Sequence, residues 1–199
     1  MSESLALAKA ANVTLTESHR YASLRSHWHV TRVEILYEIA YLRLFVQWEL
    51  YLEAALVRYL CGYRTAAGVA ASVTGAKLFS SIAAAEQALL AGKTYLLWHN
   101  PKGVVARARK YLLNSMYEQV LASNEARLMH FADLRHRITH GQKNARMKFD
   151  IATMAIAGRR YRGARPGRFL RDWDLTTTPP RRWLDVVGDE ISLLAKQIG

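Results

Sequence analysis

Cysteine is nearly missing from this 199-residue chain, which has only Cys61. One thiol makes no intrachain disulfide, so the disulfide-stapled class is excluded. Its apolar setting, Tyr59-Leu60-Cys61-Gly62-Tyr63, reads as a reduced core thiol in a reducing compartment. Proline is scarce too, at four residues, and charged residues make up 22% against 51% hydrophobic, which excludes a disordered chain and leaves enough apolar matter for a core. A secretory signal is not visible: the apolar stretch 5–13 is short, broken by Lys9, and has no basic lead-in. An uninterrupted membrane-length run is also lacking. The most apolar segment, 35–60, is interrupted by Glu38, Arg43, Glu49, Glu53 and Arg58, which a spanning helix rarely tolerates. A soluble, cytoplasmic chain with no membrane partner is the expectation. Negative charge is in short supply: 16 acidic residues face 28 basic ones, a net charge of +12. That imbalance points to a polyanionic partner, since phosphates release counterions to basic side chains.

Several chemistries lack their residues. No His/Cys/Asp cluster has zinc spacing, although His27 and His29 flank Trp28 and His99 follows Trp98. There is no Walker-type glycine loop, no G-x-S-x-G elbow and no convincing dinucleotide fingerprint. No cofactor and no metal are expected.

What is present reads as helix. Thr14-Leu15-Thr16-Glu17 and Thr31-Arg32-Val33-Glu34 match the capping box, and the second predicts a long helix running to Leu60 and closed by Gly62. Within it Leu42, Phe45, Val46, Glu49, Leu50, Glu53 and Val57 follow helical spacing. Apolar on more than one face, it belongs at the centre of a bundle or at a subunit interface. Residues 62–74 read as a connector, 77–90 as a helix closed by Gly92, and Asn100-Pro101-Lys102-Gly103 as a turn. Shorter helices are predicted at 104–113 and 116–122. Another, capped by Ser123 or Asn124, should run through Ile138 and end near Gly141. Residues 145–157 suit a helix stopped by Gly158, and their β-branched and aromatic content also permits a strand. A basic loop at 158–174 and a closing helix at about 180–198, with Trp183, Val187, Ile191 and Leu194 at helical spacing, complete the chain. No repeat and no second domain are visible, so the expectation is an all-α, compact helical bundle forming a single domain over 1–199.

The chemically informative stretch is Leu134-Arg135-His136-Arg137-Ile138-Thr139-His140-Gly141. Cations favour the last turn of a helix, where the macrodipole is negative, and glycine favours the position beyond it, so a purely structural account explains these residues equally well. A functional account draws on their chemistry. An imidazole titrates near neutrality and serves as acid or base, while a guanidinium stays charged and grips a phosphate with two hydrogen bonds.

The stretch resembles the signature of the HEPN superfamily, an arginine and a histidine separated by four to six residues on a late helix of a helical bundle. Leu134, the polar His136, Ile138 and Gly141 fit the same pattern, and residues 35–60 look like the long apolar helix that precedes it. The resemblance covers roughly 31–142. It implies a homodimer with two motifs facing each other across the interface, and metal-independent RNA cleavage in active members. One imidazole would take a ribose 2′-hydroxyl proton and another would protonate the leaving oxygen, giving a 2′,3′-cyclic phosphate and a 5′-hydroxyl. On that basis His140 is the acid/base and Arg135 binds the scissile phosphate. His136, at the family's variable polar position, orients His140 or contacts RNA, and Arg137 contacts phosphate. The resemblance also implies a toxin–antitoxin or antiviral-defence setting with a possible antitoxin or defence-system partner protein. A catalytically inactive HEPN module binding RNA or protein is the alternative.

Two further features bear on the site. Glu49 and Glu53 lie one turn apart amid apolar residues and suit structural pairing with arginines more than metal or acid/base work. A carboxylate beside Arg135 would hold its guanidinium, which makes Glu49 a supporting residue. Arg159, Arg160, Arg162, Arg165, Arg168 and Arg171 fall within thirteen positions, interleaved with Tyr161 and Phe169. Arginines with nearby aromatics suit phosphate contact and base stacking, and a solvated loop paired with Asp172 and Asp174 is the other reading.

Overall fold

The computed structural model describes residues 2–17, 29–76 and 78–199. Helix dominates, and the fold is all-α: α1 (Ser2–Glu17), α2 (Val30–Leu60), α3 (Ile82–Leu90), α4 (Pro101–Tyr111), α5 (Met116–Ser123), α6 (Glu125–Thr139), α7 (Lys143–Ala157), α8 (Pro166–Arg171) and α9 (Trp183–Ile198). Among the described residues, four two-residue strands make two antiparallel pairs. Strand β1 (Ser72–Val73) pairs with β2 (Leu112–Leu113), and β3 (Trp173–Asp174) with β4 (Arg181–Arg182). Among the described residues no helix is long and apolar enough to cross a membrane.

The chain divides into two compact units, each discontinuous in sequence: Met1–Gln47 with Asp133–Asp189, and Trp48–Ala132 with Glu190–Gly199. In the first, Tyr37, Tyr41 and Phe45 of α2 are buried at helical spacing, as are Phe149, Ala152 and Ile156 of α7. Phe169 of α8 is the hub. Its ring meets Phe149 and Tyr161 edge-on, at 6.4 and 5.3 Å, and stacks on Trp183 at 5.7 Å, geometries that aromatic pairs prefer. Gly167 is obligatory here, because a Cβ on it would lie 2.3 Å from the Glu34 carbonyl oxygen. In the second unit, Tyr117 is fully buried, donates to the Leu52 carbonyl at 2.9 Å and meets the Tyr59 ring edge-on. Arg127 of α6 forks onto Glu190 of α9 at 2.8 and 2.6 Å.

Several expected boundaries move, each for a local reason. Thr14 and Thr16 do not open a helix. They lie in the last turn of α1, where their hydroxyls donate back to the carbonyls of Ala10 and Asn12. Helix α2 begins at Val30, not in a box at Thr31: the His29 Nδ1 accepts from the Thr31 N–H at 3.3 Å, and Glu34 is buried against Arg165. Helix α3 starts only at Ile82, where Ser81 accepts from the Ala84 N–H; Lys77 lies outside the described residues, as do His27 and Trp28. Asn100 caps α4, so the expected turn at 100–103 becomes that helix's first turn. Residues 143–157 are helix, closed by Gly158 at φ 66°. The basic segment is not all loop, for α8 and β3 form within it. The closing helix starts at Trp183 and buries Trp183, Val187, Ile191 and Leu194 as the spacing predicts.

Candidate active site

The motif lies in the first unit, at the carboxyl end of α6. Leu134, fully buried, anchors this end of the helix. Helix α6 stops at Thr139, whose hydroxyl folds back to the carbonyls of Arg135 and His136, both at 3.2 Å. His140 is thereby the first residue of a three-residue connection to α7 and stands exposed. Its ring centroid lies 4.5 Å from that of His136, one turn earlier, with the planes tilted by 47°.

The two imidazoles differ in surroundings. His136 is half-buried, and its pKa is lowered by burial first, then by His140, Lys148 and Arg135, with Asp133 opposing. Lys148 comes from α7 and lies 3.9 Å from Asp133. Arg135 is half-buried as well. Its cation acts on the Tyr41 hydroxyl of α2, whose pKa burial drives well above the ordinary value while Arg135 pulls it down. His136 and His140 are therefore brought together, while Arg135 lies toward Tyr41.

Arg137 has a different task from the expected solvated phosphate contact. Its Nε donates to the Ala164 carbonyl and its Nη1 to the His140 carbonyl, both at 3.0 Å. One guanidinium thus ties the backbone of the catalytic candidate to the turn before α8. That turn is held from α2: Arg165 pairs with Glu34 at 2.5 Å, and the Gly167 N–H donates to Glu38 Oε1 at 2.8 Å. Burial raises the Glu38 pKa, the Gly167 hydrogen bond lowers it, Glu34 raises it, and Arg137 and Arg165 lower it.

Glu49, expected to support Arg135, lies in the second unit, where its Oε2 is 3.9 Å from His99 Nδ1. The carboxylate that acts on His136 is Asp133, while Glu34 and Glu38 on the long helix hold the turn before α8. Their four-residue spacing is identical to that of Glu49 and Glu53, so spacing alone does not single them out. Lys148 had no signal while residues 145–157 could be either strand or helix.

The basic segment splits in two. Arg160, Arg162 and Arg168 are exposed. Arg159 pairs with Asp172 and also donates to the Tyr161 hydroxyl at 3.1 Å, Arg165 is held by Glu34, and Arg171 reaches Asn12 at 3.5 Å. Tyr161 and Phe169 are core residues, 5% and 0% exposed, so neither offers a face to a base. Among the described residues no group of three or more His, Cys, Asp and Glu is placed to hold a metal ion. No protein-family model, curated protein or solved structure matches the chain.

Proposed function

We propose that this chain is a HEPN-type endoribonuclease that cleaves RNA by attack of the ribose 2′-hydroxyl, without a metal, in a toxin–antitoxin or antiviral-defence setting. The observation that carries the reading is the pair of imidazoles 4.5 Å apart at the end of α6, with half-buried Arg135 next to His136 in the chain. Acid, base and phosphate-binding groups are what transesterification of a phosphodiester demands. The net charge of +12 and the exposed Lys143 and Arg146 on α7 favour a polyanionic substrate.

Assembly into a homodimer is part of the proposal. Helix α2 exposes Ile35, Ile39 and Val46, and α7 exposes Met147, Ile151 and Met154, each set at helical spacing. Apolar stripes of this kind suit a second copy of the chain. They also favour the second reading, an inactive module binding RNA and a partner protein. Labelled RNA incubated in EDTA with the wild-type protein and with His140→Ala separates the two. Cleavage by the wild type alone supports the nuclease; no cleavage by either leaves the binding module.

A further inference from the structure

A hairpin in the first unit carries an indole that the core does not take. Trp173 and Arg182 face each other across the β3–β4 pair, and directly opposed residues share one face of a ladder. The inner face is closed by Asp174, which is buried and accepts from the N–H and the hydroxyl of Thr176 at 2.9 and 2.6 Å. The outer face holds Trp173, 43% exposed, although Trp48, Trp98 and Trp183 are all buried. The Arg182 guanidinium lies over the Trp173 ring, 3.5 Å from its centroid, and also donates to the Arg171 carbonyl. With one face of the indole under that cation, the remaining exposure belongs to the other face and the ring's edge.

Resting on RNA as the substrate in the reading above, we propose that the open face of Trp173 stacks one unpaired base of single-stranded RNA, with Arg182 holding the indole ready. Every nucleobase has a π face, so an indole takes any of the four, and such stacking holds single strands without a sequence preference. The ring is also ordered in advance. A guanidinium held on one side by the Arg171 carbonyl and on the other by the indole fixes the plane of both groups. A base that stacks there freezes little side-chain freedom, and the affinity is not spent on ordering the site.

Charge decides between a nucleic acid and an apolar protein segment as the occupant. The charges that act on Arg182 are Arg171, Asp172 and Asp185. Each of the two carboxylates faces a cation of its own: Asp172 pairs with Arg159, and Asp185 lies 3.0 Å from the Lys9 ammonium. Among the described residues, Arg171 and Arg182 donate instead to neutral acceptors, the Asn12 side chain at 3.5 Å and the Arg171 carbonyl. Two guanidinium charges are thus left over beside the ring. An indole flanked by surplus cations suits a strand that brings a base and a phosphate together.

Binding is measured with a 2′-O-methyl oligoadenylate of about ten nucleotides, which has no 2′-hydroxyl to attack and is not consumed. Trp173→Leu should weaken binding by about 10-fold and leave the log–log salt slope unchanged, because no phosphate contact is lost. Trp173→Phe keeps a smaller aromatic face and should fall between the two, whereas a packing role would treat leucine and phenylalanine alike. Binding should quench the tryptophan emission of the wild type and quench that of Trp173→Phe far less. An oligomer of equal length with all its phosphates and no bases should bind the wild type about 10-fold more weakly than the full oligomer does. The last two comparisons stand even if Trp173→Leu fails to fold, which urea unfolding reports. Equal binding of the full oligomer by the wild type and a folded Trp173→Leu would overturn the inference, as would a quench that Trp173→Phe retains. A Trp173→Leu chain that binds normally but no longer dimerises by light scattering would assign the face, with the exposed Leu175, to a second copy. A wild type that binds no oligomer overturns the inference as well. Cleavage of ordinary RNA in EDTA keeps the nuclease reading separate: stacking without cleavage ends that reading alone, and cleavage without stacking ends this inference alone.

Discussion

Two cationic regions of the first unit, the carboxyl end of α6 and the segment 158–174, look alike in composition and are used differently. Both combine basic side chains with rings. At the end of α6 the rings are imidazoles, and one of them is in water. In the segment Tyr161 and Phe169 are buried, with Phe169 packed by Phe149, Tyr161 and Trp183, and the third ring, Trp173, is exposed with the Arg182 guanidinium lying over it at 3.5 Å. Two of the segment's arginines are taken up as well: Arg159 and Arg165 pair with Asp172 and Glu34. The difference teaches that an arginine–aromatic stretch offers a stacking face only through the aromatic that is left outside. Where burying the ring removes apolar area from water, the core claims it first.

The sharpest way to break the comparison is to exchange the expected damage. Phe169→Ala should destabilise the protein by about 3–5 kcal/mol, the usual cost of emptying a packed aromatic site. His140→Ala should lower cleavage about 100-fold or more, yet change stability by under ~1 kcal/mol, since it removes an exposed side chain just past a helix end. Urea unfolding and RNA cleavage on both variants decide the matter. A Phe169→Ala protein of normal stability that binds RNA weakly would make Phe169 a stacking ring after all.

Arg137 stands between the two regions and should show both effects at smaller size. Arg137→Ala removes charge-assisted hydrogen bonds to two carbonyls, a loss of about 1.5–3 kcal/mol if each carbonyl finds no substitute. Cleavage should fall less than in His140→Ala, because the imidazoles survive and only the backbone of His140 loses its tether. A variant as inactive as His140→Ala but fully stable would put Arg137 on the phosphate instead.

How much of this could be read beforehand differs by element. The long helix, its end at Gly62, the closing helix and the motif's place on a late helix all follow from local spacing and from glycine's freedom at positive φ, and these local rules act over a few residues. The misplaced features depend on distant partners. A threonine hydroxyl both donates and accepts, so Thr14 fits a helix start in sequence and a helix end in the fold. Glu38 bonds a backbone N–H 129 positions away, and no periodicity in α2 reports that. Nor could spacing separate Glu34 and Glu38 from Glu49 and Glu53, since the distinction lies in what each pair faces.

A smaller effect sharpens the division within the basic segment. Changing the exposed Arg160, Arg162 and Arg168 to glutamine should weaken RNA binding and make its salt dependence shallower by about 2 in log–log slope, at ~0.7 per phosphate contact on a single strand. Stability should hold within about 0.5 kcal/mol, as for ordinary surface changes. An unaltered salt slope would remove this surface from the binding face and leave Lys143 and Arg146 of α7 as the cations beside the motif.

The smallest effect concerns Glu38, where the fold behind the motif carries a partly buried charge. Burial raises its pKa above the ordinary glutamate value, and Glu34 adds to this, while the Gly167 hydrogen bond, Arg137 and Arg165 work against it. A carboxyl whose pKa is higher folded than unfolded binds more protons in the folded state. Its stabilising contribution is therefore present below the unfolded value of roughly 4.3 and lost as pH rises through the folded value. At neutral pH the ionised group pays a desolvation penalty that glutamine does not, and a glutamine amide oxygen still accepts from the Gly167 N–H. Glu38→Gln should then flatten the stability curve between pH 4 and 7. At pH 7 it should leave the protein as stable as wild type or slightly more so, by under ~0.5 kcal/mol because much of the carboxyl remains screened by water. Urea midpoints across that range measure it. A loss above about 1 kcal/mol at pH 7 would mean that attraction to Arg137 and Arg165 outweighs burial, and that the turn before α8 is held by charge more than by its hydrogen bond.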